Sequence, residues 1–352
     1  MHAAVYLGSG CLAVQTVPIP AIGSGEILVR VETCGVCHTD LKKIEYDLLP
    51  PPRIYGHETA GVIAAVGRGV TKYAPGDRVV VFHHIPCGHC FYCDRRLYAQ
   101  CPVYKKVGVT AGYEPAGGGF AQYVRVMSWI VNRGVEIIPS AVTFDQACWV
   151  EPVNTCLKAV RSLALRSGDV VAVIGQGPVG LLFTMLARRE RATVFSSDTL
   201  AFRREISSRL GASAFDPREP HFEEAIKSAT DGRGADAVIV ATSVPGIVQQ
   251  AVRISRPGAK ILLFAQTSAS ERIEISGADV CVGERVLLGS YSADIDLQSE
   301  SAQLVFSREL PLEDLISHRM PLTDIARAIH IAQHPNEQSL KVVVHPQESR
   351  AA

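Results

Sequence analysis

Four cysteines, Cys87, Cys90, Cys93 and Cys101, stand within one short loop. C-x-x-C steps let neighbouring thiolates converge on one tetrahedral ion, and the last cysteine closes the shell. Four thiolates without an open position make a structural rather than a catalytic site, and zinc is the ion expected there. A redox dithiol or a disulfide cluster is the competing reading, and four cysteines in so compact a loop argue against it. His89 reads as a bystander inside the lobe, and His83 and His84 just before it read as ordinary surface residues.

Three separated elements offer a second ligand set. Cys37 follows a strand and is followed by His38, Thr39 and Asp40, which puts a thiol beside a hydroxyl. His57 and Glu58 present an imidazole and a carboxylate at a turn before another strand. Glu151, followed by Pro152, offers a second carboxylate where the character of the chain changes. None of the three is convincing alone.

The third constellation handles phosphate. VVAVIG runs into Gln176-Gly177-Pro178-Val179-Gly180 and then an apolar helix, which makes G-x-G-x-x-G between a strand and a helix. Gly175 permits the tight turn, Gly177 lets a pyrophosphate approach the backbone, and Gly180 lets helix and strand pack closely. The helix N-terminus attracts the phosphates. Asp198, at the end of the next strand, can accept hydrogen bonds from ribose hydroxyls and would repel a 2′-phosphate. NAD is therefore expected. Arg203 and Arg204 keep NADP open as the alternative.

The elements that must hold these groups fall into two grammars. Up to about residue 150 the chain reads as short strands split by Gly and Pro: 3–7, 26–35, 61–67 and 77–82. That pattern predicts a β-rich, barrel-like domain. Beyond Glu151 apolar strands (193–198, 213–216, 235–242, 259–266) alternate with helices, as in a doubly wound parallel sheet. The pattern stops at about Arg285, and the remaining segment is placed back against the first domain. The class is α/β.

Lys plus Arg and Asp plus Glu both number 35, so the formal net charge is zero. Such a balance provides no field to gather nucleic acid or an anionic membrane and points to a small-molecule substrate. No basic segment with an apolar run opens the sequence, and the ten cysteines suit metal binding or free thiols, so a cytoplasmic location is expected.

The run from Gly56 to Val70, GHETAGVIAAVGRGV, resembles the signature of the zinc-containing medium-chain alcohol dehydrogenases glycine for glycine. CGVCHTD (34–40) resembles that family's first ligand loop, and the cysteine lobe and dinucleotide fingerprint follow in the family's order. The resemblance covers essentially the whole chain. It implies a GroES-like β-barrel catalytic domain over 1–152 with the structural zinc lobe at 87–101. A Rossmann domain over 153–287 and a return over 288–352 complete it, with the active site in the cleft.

It also implies two zinc ions per chain. At the catalytic one, Cys37 and His57 are ligands and Glu58 is a ligand or an alternating partner. Glu151 matches a position that ligates, or holds a ligating water, in the polyol and threonine dehydrogenase branch. Zinc there acidifies an alcohol hydroxyl. Thr39 is placed to accept the proton, His38 to touch the cofactor phosphate or end the relay, and Asp40 to orient His57. Hydride then passes to the nicotinamide. A homotetramer or homodimer is implied, with neither nucleic acid nor membrane as partner.

Within the family the ligand set looks most like the sorbitol (L-iditol) dehydrogenase branch. Two departures stand against it: Lys43 where that branch has tyrosine, and Ser292 and Ala293 where it has Arg-Tyr. Lys43 and Asn154 are candidate replacement contacts. A secondary alcohol, polyol or sugar alcohol is the expected substrate, with threonine, a sugar or a short-chain diol as alternatives. A zinc-free quinone or enone reductase would lack the cysteine lobe and the Cys37/His57 pair. A non-catalytic dinucleotide-binding scaffold would be expected to have lost Cys37, His57 or Thr39.

Overall fold

The two grammars become two compact units, Met1–Asn154 with Ala293–Ala352, and Thr155–Ser292. The computed structural model describes residues 1–104, 108–113, 117–265, 272–336 and 338–348.

In the first unit the strands Ile27–Gly35, Glu58–Val66, Arg78–Val81 and Val135–Ile137 pair antiparallel in succession, forming a curled half-barrel. Ile27, Val29 and Val31 alternate inward along the first of these and are fully buried, as a sheet with one face on the core requires. The C-terminal segment extends the same sheet. Lys341–His345 pairs antiparallel with Ile27–Gly35, and Ile316–Pro321 adds outside it in parallel. In this register Gly35 lies opposite Glu58 on one side and Val343 on the other. Lys341 is thereby brought close to Glu58.

A charged knot fixes the return. Asp145 lies on the short helix Phe144–Ala147, whose Thr143 and Gln146 form a capping box. Its carboxylate accepts hydrogen bonds from Thr33 Oγ1 at 2.8 Å, His345 Nε2 at 2.8 Å and Arg319 Nε at 2.6 Å. One carboxylate thus joins an N-terminal strand to both C-terminal ones.

In the second unit six parallel strands lie in the order Ser213–Phe215, Thr193–Ser197, Val170–Ile174, Ala235–Val240, Ser255–Leu263 and Val286–Gly289. Val170–Ile174 is buried throughout, as a strand covered on both faces must be. The strand order reverses between Val170–Ile174 and Ala235–Val240, and such sheets bind ligands at the carboxyl ends of strands flanking that point. The sheet runs further than the hydropathy pattern. Val286–Gly289 still pairs with Ser255–Leu263, although half-exposed side chains along it mask the strand signal. Among the described residues no helix is long and apolar enough to cross a membrane.

Asp145→Asn tests the knot, with an expected loss of about 2 kcal/mol for charge-assisted bonds. Burial opposes the charge of Asp145, but His345, Thr33 and Arg319 outweigh it and hold the carboxyl at about 2 against an ordinary 3.8. This stability is present above 3.8 and lost as pH falls toward 2. The Asp145 hydrogen bond raises His345 above 6.5, so that contribution is complete below 6.5 and lost as pH rises through the folded value. Urea unfolding should therefore show the widest gap between parent and variant at about pH 4 to 6.5. A gap independent of pH would contradict it.

Candidate metal centres and dinucleotide site

The sulfurs of Cys87, Cys90, Cys93 and Cys101 all lie within 4.8 Å of one another. Cys87 to Cys93 is 3.8 Å and Cys90 to Cys93 is 3.5 Å, far beyond a disulfide bond. Four sulfurs about 2.3 Å from a shared tetrahedral ion would be about 3.8 Å apart. Backbone N–H groups of Gly88 and Cys87 point at Cys93 and Cys101 at 3.3 and 3.4 Å, which favours thiolates. His89 is exposed, its Nδ1 on the Cys87 carbonyl, outside the sulfur set. The donor set fits zinc.

A second group forms where Cys37 opens the helix His38–Glu45 and the Glu58–Val66 strand begins. The ligand atoms of Cys37, His57 and Glu58 lie within 4.8 Å of one another. Gly56 makes this approach possible, because φ is +94° there and a Cβ would stand 2.8 Å from Cys34 Sγ. Asp40, fully buried, meets His57 Nδ1 at 3.1 Å. That contact fixes the ring and leaves Nε2 for a metal. Thiolate, imidazole and carboxylate together fit zinc with a position to spare.

Glu58 is already engaged. Its carboxylate forms a close ion pair with Lys341 Nζ, and both side chains are buried. Lys341 also donates to the Val36 carbonyl at 3.1 Å. Burial disfavours this ammonium, but Glu58 more than offsets the penalty and raises its pKa. A Cβ on Gly35 would collide with Glu58 Oε2 and stand 2.8 Å from Lys341 Cε, so only glycine leaves room for the pair.

Glu151 is not brought into the Cys37–His57–Glu58 group among the described residues. It stands in the first turn of the helix Val150–Leu163. Its Oε1 is 3.6 Å from Nδ1 of His84. Here the reading of His83 and His84 as surface residues is corrected, since they are 7% and 3% exposed. Their rings lie 5.5 and 6.2 Å from that of His57. The signal missed was their apolar setting, directly after the Arg78–Val81 strand and Phe82 and before Ile85.

Thr39 is half-buried in the first helical turn after Cys37, and His38 is exposed beside it. Lys43 Nζ lies over the Tyr55 ring, 5.7 Å from its centre. Asn154 is fully buried, with its amide on the Asp294 backbone at 2.9 and 2.7 Å. Both ends of its amide take part in holding the helix Val150–Leu163 to the Asp294 backbone.

In the second unit Gly175 has φ +90° and closes the turn after Val170–Ile174. A Cβ on Gly180 would collide with the Gly175 carbonyl, so close packing of helix and strand requires glycine there. Gly177 needs no special backbone angle. A Cβ would meet nothing nearer than Arg203 at 3.6 Å, leaving open space at the N-terminus of the helix Pro178–Arg189. Pro178 and Val179 open that helix. Asp198 accepts Gln176 N at 2.7 Å and Leu200 N at 2.9 Å, so it ties the glycine turn to the end of its own strand. Arg203 Nη1 stands 3.7 Å from the same carboxylate, and Arg204 donates to the Asp198 carbonyl at 2.8 Å.

Comparison with known proteins agrees over the full length. The alcohol dehydrogenase GroES-like domain family matches residues 23–134, and the zinc-binding dehydrogenase family matches 178–307. A sorbitol dehydrogenase of Bacillus subtilis is 28% identical, over 98% of this chain and 97% of its own. An L-threonine 3-dehydrogenase of Symbiobacterium thermophilum is 31% identical, over 94% of this chain and 93% of its own. A Sinorhizobium meliloti protein described as a zinc-binding dehydrogenase, solved bound to NADP, superposes with a TM-score of 0.88. It is 30% identical and covers 98% of this chain and 99% of its own.

Metal analysis of the purified protein is expected to find about two zinc ions per chain, one for each centre. Cys93→Ser should remove one and lower the melting temperature. Gly35→Ala should weaken the other about 10-fold or more, because the displaced Glu58–Lys341 pair no longer leaves the ligand group intact. Full retention of both ions in both variants would overturn these assignments.

Proposed function

The chain belongs to the zinc-containing medium-chain alcohol dehydrogenases and is a zinc-dependent, NAD(P)-dependent alcohol oxidoreductase, and we propose that its substrate is a polyol or sugar alcohol oxidised at a secondary carbinol with NAD. The observation that carries the site assignment is the Cys37–His57–Glu58 cluster with Asp40 locked behind His57. Full-length similarity to sorbitol dehydrogenases and to a D-altritol 5-dehydrogenase supports the substrate class.

Bound at this cluster, zinc would supply a Lewis acid that lowers the pKa of an alcohol hydroxyl. The remaining work belongs to the side chains. Cys37 and His57 hold the ion, Asp40 keeps His57 in the tautomer that presents Nε2, and Glu151 adds a carboxylate at the rim. Thr39 takes up the hydroxyl proton and passes it outward, with His38 next in line. Asp198 accepts the ribose hydroxyls, Gly177 and the helix N-terminus take the pyrophosphate, and Arg203 flanks the adenosine end. Asp198 favours NAD, while the paired arginines and the NADP-bound relative keep the phosphorylated cofactor as the second reading.

We further infer a homodimer or homotetramer in the cytoplasm, without nucleic acid or membrane as partner. The edge position of Val286–Gly289, with Val286 half exposed, supports self-association.

NADH formation with purified enzyme tests the proposal across sorbitol, xylitol, galactitol, aldoses, L-threonine, 2,3-butanediol and ethanol. The highest kcat/KM is expected on a polyol with NAD. Turnover confined to threonine or a short diol would keep the chemistry and overturn the substrate class. Asp198→Ala is expected to lower kcat/KM for NAD about 10-fold while sparing NADP, the loss of one or two charge-assisted hydrogen bonds. An equal loss with both cofactors would remove Asp198 from the discrimination.

A further inference from the structure

Three neighbouring strands of the second unit end together at the edge where sheets of this kind bind dinucleotides. Ser197 lies opposite Ile174 on one side and Phe215 on the other, so Gly175, Asp198 and Asp216 follow the three strands at that edge. The Asp198 N–H donates to the Phe215 carbonyl at 3.2 Å and ties two of the ends together. The function proposed above gives Asp198 a task and Asp216 none.

Asp216 opens the sequence Asp-Pro-Arg-Glu, and this local chemistry fixes its carboxylate. Pro217 suits the second position of a turn, which closes with the Glu219 N–H on the Asp216 carbonyl at 3.1 Å. The side chain accepts the Arg218 N–H at 3.0 Å, two residues on. Only 11% exposed, the carboxylate also meets two guanidinium groups. Arg218 grips it as a fork, with Nε on Oδ1 at 2.7 Å and Nη2 close to Oδ2. Arg204, from the helix Ala201–Arg209, brings Nη1 within 3.1 Å of Oδ2 and donates to the Asp198 carbonyl at 2.8 Å. Arg218, with Arg204 behind it, holds the Asp216 carboxyl well below the usual carboxylate range.

We propose that Asp216 is a specificity-determining residue for the cofactor, favouring NAD by keeping Arg204 and Arg218 from a 2′-phosphate. This rests on the reading of Asp198 as the partner of the adenosine ribose. An arginine near that ribose is the usual partner of a 2′-phosphate. Here the phosphate would have to draw a guanidinium out of a fork already closed on a carboxylate. The carboxylate left behind would then face the incoming anion. NAD brings no charge to this position and leaves the pairs undisturbed. The two acids therefore act differently: Asp198 meets the ribose, and Asp216 acts only through the arginines.

The test uses the full-length, zinc-loaded enzyme and reads binding as well as turnover. Calorimetry compares 5′-AMP with adenosine 2′,5′-bisphosphate, two probes that differ by the 2′-phosphate alone, and kinetics compare NAD with NADP. The parent is expected to favour NAD. Asp216→Ala should raise affinity for the bisphosphate and kcat/KM for NADP about 10-fold, leaving 5′-AMP and NAD within about 2-fold. Asp216→Asn keeps a neutral acceptor in the turn and should gain less. It carries the test if Asp216→Ala does not fold. Adding Arg204→Ala and Arg218→Ala to Asp216→Ala should abolish the gain. Glu219→Gln removes an exposed charge from the same turn without releasing either arginine, and should give no comparable gain.

An unchanged preference in Asp216→Ala, or a parent that already prefers NADP, would overturn the inference. So would a gain that survives loss of both arginines or that Glu219→Gln reproduces, since net charge alone would account for it. Asp198→Ala separates this inference from the reading beneath it. If that variant weakens 5′-AMP while Asp216→Ala changes nothing, the ribose site stands and the role of Asp216 falls. If it leaves both nucleotides unaffected, the reading of Asp198 falls and the inference with it.

Discussion

A lysine ammonium and a glutamate carboxylate buried side by side at Lys341 and Glu58 make the strongest demand on this fold. Removing either partner would strand the other charge out of water, at a cost of about 3 to 5 kcal/mol. The pair can form only if the C-terminal strand returns beside Ile27–Gly35, in the register that sets Val343 against Gly35. It also needs Gly35 itself, because any side chain there would occupy the space where the charges meet. One electrostatic contact therefore links the topology of the first unit to the composition of a single strand position. The Asp145 knot repeats the logic on the other end of the Lys341–His345 strand, through His345 and Arg319.

The pair also shapes the chemistry. The other polar groups of the site follow the same rule: each that must keep an orientation is backed by a buried partner from a different part of the chain. His57 has Asp40 from the helix His38–Glu45, and Glu58 has Lys341 from the last strand. Rigid support of this kind matters because ligand groups misplaced by a fraction of an ångström lose much of their effect on a bound ion. The dinucleotide turn is built on the same principle in the second unit. The Asp198 carboxylate accepts the Gln176 N–H, and the Gln176 side chain accepts from Thr184 at 2.9 Å, so the loop between strand and helix is held from both sides.

What the sequence makes legible follows the range of the interactions. The four cysteines, the glycine fingerprint and most strands and helices of the second unit depend on neighbours a few residues away, and their spacing is visible directly. Val170–Ile174 and Thr193–Ser197 stand where the hydropathy pattern puts them. Lys341 carries no such mark: in sequence it is one lysine before an apolar strand, and its meaning appears only across the sheet from Glu58. His84 is a similar case, and its apolar neighbours hinted at burial but not at Glu151. Asn154 shows the reverse. Its polarity beside Glu151 suggested a substrate contact, and the backbone of Asp294 turns out to use both ends of its amide. The edge strand Val286–Gly289 escaped because half-exposed strands lose the apolar continuity that marks the buried ones.

Glu58 and Glu151 are not equivalent, and the difference follows from charge. A divalent ion held by one thiolate and one carboxylate is formally neutral, whereas a second carboxylate would leave the site net negative. A net negative site would withdraw less density from a hydroxyl and lower its pKa less. The ammonium of Lys341 offsets the charge of Glu58, so this carboxylate can line the site at a smaller cost to its electrophilic character. Without Glu58 beside it, the buried ammonium of Lys341 would lean on the Val36 carbonyl, the face of Trp149, 5.4 Å away, and the thiols of Cys37 and Cys148. Glu151 stands instead beside an imidazole, its Oε1 3.6 Å from Nδ1 of His84.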